Sequence, residues 1–170
     1  LRHAEATNAR LLEVFPKGFV LDEAHRPHVT MLQLYVRTAD LEQVYAAIGK
    51  VFAGVKAMEL EAFEYYYIPA GEIGLSGIVV RPTPELLRLQ AEIIAAMGPF
   101  MLKTGSIDAF TAAHGDPAMD AQLVGYVSAF VQKEAGAHFN PHVTTGVAPR
   151  AFLDSMLAAP FTPYTFYPSG

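Results

Sequence analysis

The tetrapeptide Pro-His-Val-Thr occurs twice in the chain. A His-apolar-Ser/Thr run behind a proline occurs twice in only about 1 in 10⁴ shuffled chains of this composition, so chance is a poor account of it. Side chains alternate between the two faces of a strand, and His28 would therefore share a face with Thr30, as His142 would with Thr144. Each copy offers an imidazole beside a hydroxyl group.

Two imidazoles that face one phosphate group could perform opposite proton transfers, because an unperturbed histidine has a pKa of about 6.5. In phosphodiester cleavage, a neutral ring would take a proton from water or from a ribose hydroxyl. A cationic ring would protonate the leaving oxygen. Threonine hydroxyls can donate hydrogen bonds to the non-bridging phosphate oxygens, whose charge grows during the reaction. Such chemistry requires no metal.

Several residues near the motifs or on predicted strands could also contact a substrate. Arg26 is either a phosphate ligand or a solvated charge at the rim. In the run of three tyrosines, alternate rings must face opposite sides, so at least one packs in the core, while Tyr65 and Tyr67 together could stack a nucleobase. Glu59 and Glu61 resemble a paired-carboxylate site but are more typical of a solvent-exposed strand face.

The remaining histidines do not suggest a metal centre. His25 and His138 lie three and four residues before the motif histidines, at predicted loop-to-strand junctions, and no carboxylate recurs at matching positions. We therefore expect no metal site. His114 falls in the Gly-, Thr-, Ser- and Asp-rich segment 103–120, which we interpret as a surface connection or a lid.

The composition and the net charge limit the classes of protein to which the chain can belong. The chain has 170 residues, 52% hydrophobic and 17% charged, which favours one soluble globular unit over a disordered chain. No apolar run reaches the roughly 18 residues that span a bilayer, so we expect no membrane partner. The net charge of −5 argues against a surface that grips long nucleic acid. A small nucleotide or an RNA end remains compatible with this charge.

The absence of cysteine excludes disulfides, a thiolate nucleophile and cysteine-ligated zinc. The chain begins at Leu1 rather than at a methionine, so we expect that an upstream segment has been removed. The sequence is compatible with a cytoplasmic or an exported protein, and it does not indicate an oligomeric state.

The elements that must position the motifs alternate between helices and strands. In the first helix, the polar Thr7 and Asn8 interrupt an apolar stripe. The predicted helices start near residue 4, at Leu41 behind a capping-box-like Asp40, at Pro84, near Leu123 and at Pro149; the predicted strands cover 18–21, 28–36, 58–68, 75–80, 141–148 and 161–167.

Each motif begins a predicted strand. The first of these, 28–36, is apolar on both faces, as expected of a central strand covered on each side. The last strand contains Pro163, which places it at a sheet edge. The pattern predicts an α+β fold, with residues 1–170 forming a single domain of two lobes that each contribute one His-x-Thr motif.

The stretches "RPHVTML" and "NPHVTTG", on two strands of an α+β chain, resemble the paired motifs of the two-histidine (2H) phosphoesterase superfamily, including its 2′-5′ RNA ligase-like branch. The alternation of helices and strands from about residue 10 to residue 167 is consistent with that family, although the specific match rests on eight residues. The resemblance implies a bilobal, pseudo-two-fold fold, with antiparallel sheets flanked by helices around a central cleft.

The same resemblance implies that His28 and His142 are catalytic and that Thr30 and Thr144 bind the substrate phosphate. It implies hydrolysis of 2′,3′-cyclic phosphates or 2′-5′ phosphodiester bonds in RNA ends or small nucleotides, without a metal or another cofactor. Two alternatives stay open. The chain could be a nucleotide- or phosphate-binding module without turnover, or the two motifs could lie buried apart in separate cores.

Overall fold

The structure is a computed structural model that describes residues 2–110 and 117–168. The described chain has an α+β fold. Its helices are α1 (Arg2–Val14), α2 (Leu41–Phe52), α3 (Pro84–Met97), α4 (Pro117–Glu134) and α5 (Arg150–Ala158), with short 3-10 segments at Thr38–Asp40, Gly98–Phe100, Ile107–Ala109 and Gly136–His138; its strands are β1 (Leu60–Ala70), β2 (Ile73–Val80), β3 (His142–Pro149) and β4 (Tyr164–Phe166).

The four strands form one antiparallel sheet in the order β3-β2-β1-β4. Strands β1 and β2 form the hairpin expected from the sequence, and Gly71 supplies the positive φ of 63° that its turn requires. Among the described strands, β4 pairs only with β1 and so lies at one end of the sheet, as predicted. It begins directly after Pro163 rather than containing it.

One face of the sheet is covered by helices. Helix α1 packs on β3, and α5 packs on β1, β2 and β3. We call this side the helix-covered face. Its core contains Leu11, Ala148, Leu153 and Met156, which are almost fully buried. The predicted apolar stripe of α1 is therefore confirmed, because Leu11 faces this core.

The polar residues of α1 do not interrupt the core but form part of it. Thr7 and Asn8 are both buried. The Asn8 side chain donates to the carbonyl oxygens of Phe19 and Thr145, both at 2.9 Å, and accepts from the backbone N–H of Leu21 at 3.0 Å. This amide therefore ties α1 to β3 and to the loop that leads into the first motif.

The chain divides into two compact units. The first comprises the chain up to Thr30, Met58–Pro82 and the chain from Asn140; the second comprises Met31–Ala57 and Thr83–Phe139. Both copies of the motif lie in the first unit. The expected division, one copy in each lobe, does not coincide with these units.

The two early strand predictions are wrong. Residues 18–21 are irregular, and residues 28–36 form no continuous strand. In place of a central strand, the latter segment has one isolated antiparallel bridge near each end, Val29 with Val143 and Tyr35 with Leu102. High strand propensity is insufficient here because a ladder also needs a partner strand along its whole length.

The second unit contains α2, α3 and α4. In α3, the predicted core positions Leu86, Leu89, Ile93 and Met97 are all buried, and Thr83 caps the helix by accepting from the N–H of Leu86 at 3.1 Å. Two details of the other helices differ from the prediction. Asp40 binds Arg37 at 2.7 Å and makes no side-chain cap, and α4 starts at Pro117, inside the segment predicted as a connection.

Among the described helices, none combines the length and the apolar character needed to cross a bilayer.

Candidate active site

The second motif is held in place by β2. Within β3, His142 pairs with Val79, Val143 with Ile78 and Thr144 with Gly77. The preceding Pro141 is fully buried, and its carbonyl oxygen accepts from the N–H of Val80 at 2.8 Å. The start of β3 is thereby fixed in register on the side facing β2.

The first motif lies along the other side of β3. The antiparallel bridge between Val29 and Val143 sets the register of this contact. In an antiparallel pair, the residues that flank a bridge face each other crosswise, so His28 is opposite Thr144 and Thr30 is opposite His142. The two copies are thus related by a local two-fold axis through the bridge.

This register brings all four predicted side chains onto one face of the sheet. Directly opposite side chains in regular antiparallel pairing have Cβ atoms about 4.5–5.5 Å apart, and diagonal neighbours such as the two histidines lie about 7–8 Å apart. Both imidazoles thus project from nearby positions on the same face. The structure therefore contradicts the alternative in which the motifs lie apart in separate cores.

Both imidazoles are held by the same backbone contact. Nδ1 of His28 lies 2.7 Å from the carbonyl oxygen of Arg26, and Nδ1 of His142 lies 2.8 Å from that of Asn140. A carbonyl oxygen only accepts hydrogen bonds, so each Nδ1 carries the proton and donates it. In both rings, Nε2 is left as the nitrogen that can take up or release a proton.

The repeated proline has a part in this contact. The carbonyl that each histidine uses belongs to the residue before the proline, which the proline ring restricts to an extended conformation. Proline also fixes its own φ at about −65°. Two of the backbone angles between the carbonyl and the imidazole are thereby constrained in each motif.

The site is accessible to a ligand. His28 is exposed, and Thr30, His142 and Thr144 are half-buried. In contrast, Thr145 is fully buried on the helix-covered face, where its hydroxyl donates to that of Ser76 at 3.2 Å. The expected alternation along the second motif is confirmed.

The structure adds a tyrosine that the sequence did not single out. The ring of Tyr66 contacts that of His142, with centroids 4.9 Å apart and planes inclined by 64°. Tyr66 pairs with Gly77 across the hairpin, and Gly77 pairs with Thr144. We call this side, with His28, Thr30, Tyr66, His142 and Thr144, the motif face.

Tyr65 and Tyr67 lie on the opposite side of the sheet from Tyr66. Both pack against the core of the helix-covered face. The Tyr65 ring meets Phe161 edge-on at 4.8 Å, and the Tyr67 hydroxyl donates to Asp154 at 2.6 Å. Tyr65 and Tyr67, predicted as possible substrate contacts, therefore lie on the side away from the motif histidines. Alternation along the strand fixed their common side but not which side it was.

Arg26 and His25 lie in the exposed loop before the first motif. Asp22 shapes this loop, because it accepts from the N–H groups of Ala24 and His25, both at 2.9 Å. The hydrogen bond from the N–H of His25, and after it that from the N–H of Ala24, lowers the pKa of the Asp22 carboxyl group. The His25 ring lies 3.5 Å from the same carboxylate. Arg26 contributes the carbonyl that binds His28, and its exposed side chain remains a candidate contact to a ligand.

Two further histidines and two glutamates were also weighed as functional residues. His138 ends a 3-10 segment of the second unit, and His114 lies outside the described residues. Glu61 binds Arg81 at 2.8 Å, and Glu59 accepts from the Tyr167 hydroxyl at 2.7 Å, which raises the pKa of that tyrosine. The two carboxylates therefore have separate partners and do not form a catalytic pair.

Within the described part of the chain, no three His, Cys, Asp or Glu side chains are close enough together to hold a metal ion. No known protein family, curated protein or solved structure matches the chain.

Proposed function

We propose that the chain is a two-histidine phosphoesterase that hydrolyses 2′,3′-cyclic phosphates or 2′-5′ phosphodiester bonds in RNA ends or small nucleotides. The proposal includes the bilobal, pseudo-two-fold 2H fold with antiparallel sheets around a central cleft. The observation that carries it is the antiparallel bridge between Val29 and Val143, since this bridge sets each motif histidine opposite the threonine of the other motif.

The reaction that fits this arrangement is an in-line displacement at phosphorus. The neutral imidazole accepts at Nε2 a proton from water, whose oxygen forms the new P–O bond. The cationic imidazole gives its Nε2 proton to the oxygen that leaves, so that no net charge is created on the enzyme. For a cyclic phosphate, the leaving oxygen is one ribose oxygen, and the product is a phosphomonoester.

The two threonines suit the charge that develops in this reaction. Their hydroxyls can donate to the non-bridging phosphate oxygens from opposite sides of the group. The identical contacts at Nδ1 of His28 and His142 support proton transfer through Nε2 in both rings. The acid and base roles can therefore be divided between two rings that share the same backbone contact at Nδ1.

The test is hydrolysis of a panel of 2′,3′-cyclic nucleotides and 2′-5′ dinucleotides in the presence of EDTA. We expect turnover of at least one substrate, and we expect His28→Ala and His142→Ala each to abolish it. His25→Ala, an exposed histidine three residues before the motif, is the matched control and should retain full activity. Tight binding without turnover across the panel would instead indicate a nucleotide-binding module.

A further inference from the structure

Tyr66 lies in the middle of β1, two strands from the second motif, and yet its ring reaches His142. The ring centroids are 4.9 Å apart and the arrangement is edge to face. Between the two residues lies Gly77 of β2, which pairs with Tyr66 on one side and with Thr144 on the other. The tyrosine therefore crosses a strand to reach the histidine.

Gly77 is what permits this crossing. A methyl group at its Cα would overlap the Tyr66 ring and would lie only 3.1 Å from the carbonyl oxygen of Val143. Any other residue at position 77 would thus displace the tyrosine from the surface of the sheet. The φ of Gly77 is not positive, so the close approach of the ring explains the glycine better than backbone conformation does.

The two histidines differ because of this contact. His28 is exposed, whereas His142 is half-buried with the tyrosine against it. The hydrogen bond from Nδ1 to the carbonyl of Asn140 fixes one edge of the His142 imidazole. A second neighbour against the ring restrains its plane further.

We propose that Tyr66, seated on Gly77, is the positioning residue that fixes the plane of the His142 imidazole and so directs Nε2. The catalytic consequence rests on the proposed phosphoesterase function, while the effect on the ring does not. The ring of the tyrosine makes the contact with His142, so the role requires an aromatic side chain at position 66. A misplaced catalytic group lowers the rate rather than substrate affinity, by up to about 100-fold for a displacement of about 1 Å.

The experiment combines NMR of the histidine side chains with kinetics. Tyr66→Leu removes the aromatic ring, and Gly77→Ala displaces it; both should shift the carbon-bound ring protons of His142 while leaving those of His28 in place. Tyr66→Phe keeps the ring and should shift the His142 signals less than Tyr66→Leu does. With a substrate in hand, kcat should fall about 10- to 100-fold in the first two variants, KM should change less than about 2-fold, and Tyr66→Phe should retain more of kcat than Tyr66→Leu does.

Gly74→Ala is the matched control for Gly77→Ala. It lies in the same strand, but its added methyl group would meet Tyr67 and Leu153, at 2.6 and 2.8 Å, on the helix-covered face. It should lower stability and leave the His142 signals unchanged. If Tyr66→Leu, once shown to unfold cooperatively, leaves the His142 signals unmoved or shifts those of His28 equally, the positioning role is refuted. A selective shift of His142 without turnover of any substrate would support the contact between Tyr66 and that ring and count against the proposed activity instead.

Discussion

Val29 and Val143 form an antiparallel bridge at the centre of two identical Pro-His-Val-Thr stretches. Because the bridge lies at the same position in both copies, each histidine faces the other copy's threonine. The repetition in the sequence thus corresponds to a local two-fold symmetry of the backbone, which places two imidazole and hydroxyl pairs around one point.

The register can be tested by cross-linking, since the chain has no cysteine of its own. The double variant His28→Cys/Thr144→Cys places two thiols at directly opposite positions, where Cα atoms about 4.5–5.5 Å apart allow a disulfide. We expect a cross-link on mild oxidation, detected by mass spectrometry of peptides before and after reduction.

The matched control is His28→Cys/Val143→Cys, because Val143 points to the other side of the sheet from its neighbour Thr144. It should stay reduced under the same conditions. Equal cross-linking in both variants, or none at the opposite pair, would mean that the two motifs are not paired in this register.

The tautomers of the motif histidines follow from their backbone contacts. Nδ1 of His28 and of His142 donates to a carbonyl oxygen, so both neutral rings should be Nδ1–H tautomers. Nitrogen-15 chemical shifts of the side chains, measured above pH 8, distinguish Nδ1–H from Nε2–H. Finding the proton on Nε2 in either ring would contradict the assignment of Nε2 as the proton-exchanging atom.

The pH dependence of turnover reports the division of roles. Activity requires one imidazole to be neutral and the other to be protonated, so it should rise with pH as the base loses its proton and fall as the acid loses its own. We expect a bell-shaped profile of kcat/KM. A profile with only one limb between pH 5 and pH 9 would show that a single histidine titrates in the reaction.

We predict that Asn8 contributes strongly to stability, although in the sequence it interrupts the apolar stripe of α1. It is buried and makes three hydrogen bonds to backbone groups. Asn8→Ala would leave those groups without their partner, and it should lower the free energy of unfolding by about 2–4 kcal/mol. Denaturant titration measures this loss.

The chain's other asparagine, Asn140, gives the matched control because it is exposed and contributes its backbone carbonyl to the site. Asn140→Ala should change the free energy of unfolding by less than about 0.5 kcal/mol. An equally small effect of Asn8→Ala would show that the buried amide does not hold α1 to β3.

Local patterns were sufficient for elements that depend on neighbouring residues. Apolar residues at helical spacing predicted α2 and α3, and a turn with glycine between two apolar runs predicted the β1–β2 hairpin. The strand at 28–36 failed because its residues have strand character but find a bridge partner only near the two ends, at Val29 and Tyr35. A partner distant in the chain cannot be read from the segment itself.

In the candidate site, too, some residues could be predicted from local patterns and others depended on pairing with distant segments. The repeated motif predicted the four residues of the two pairs, because alternation along a strand is a local property. The contact of Tyr66 with His142 could not be predicted in this way, because it depends on which side of the sheet the motifs occupy. The one local signal for this contact was Gly77, since a glycine inside a strand often marks a site of close approach. That Gly77 pairs with Tyr66, however, follows only from the register of the hairpin.

The most direct test of the central claim is the turnover of His28→Ala, His142→Ala and the double variant, measured on one cyclic phosphate substrate in EDTA. Groups that act together in one transition state do not contribute independently. We predict that each single variant loses as much activity as the double variant, while His25→Ala loses none. Substantial turnover in either single variant, or losses that add in the double variant, would contradict the pairing of the two histidines in one reaction.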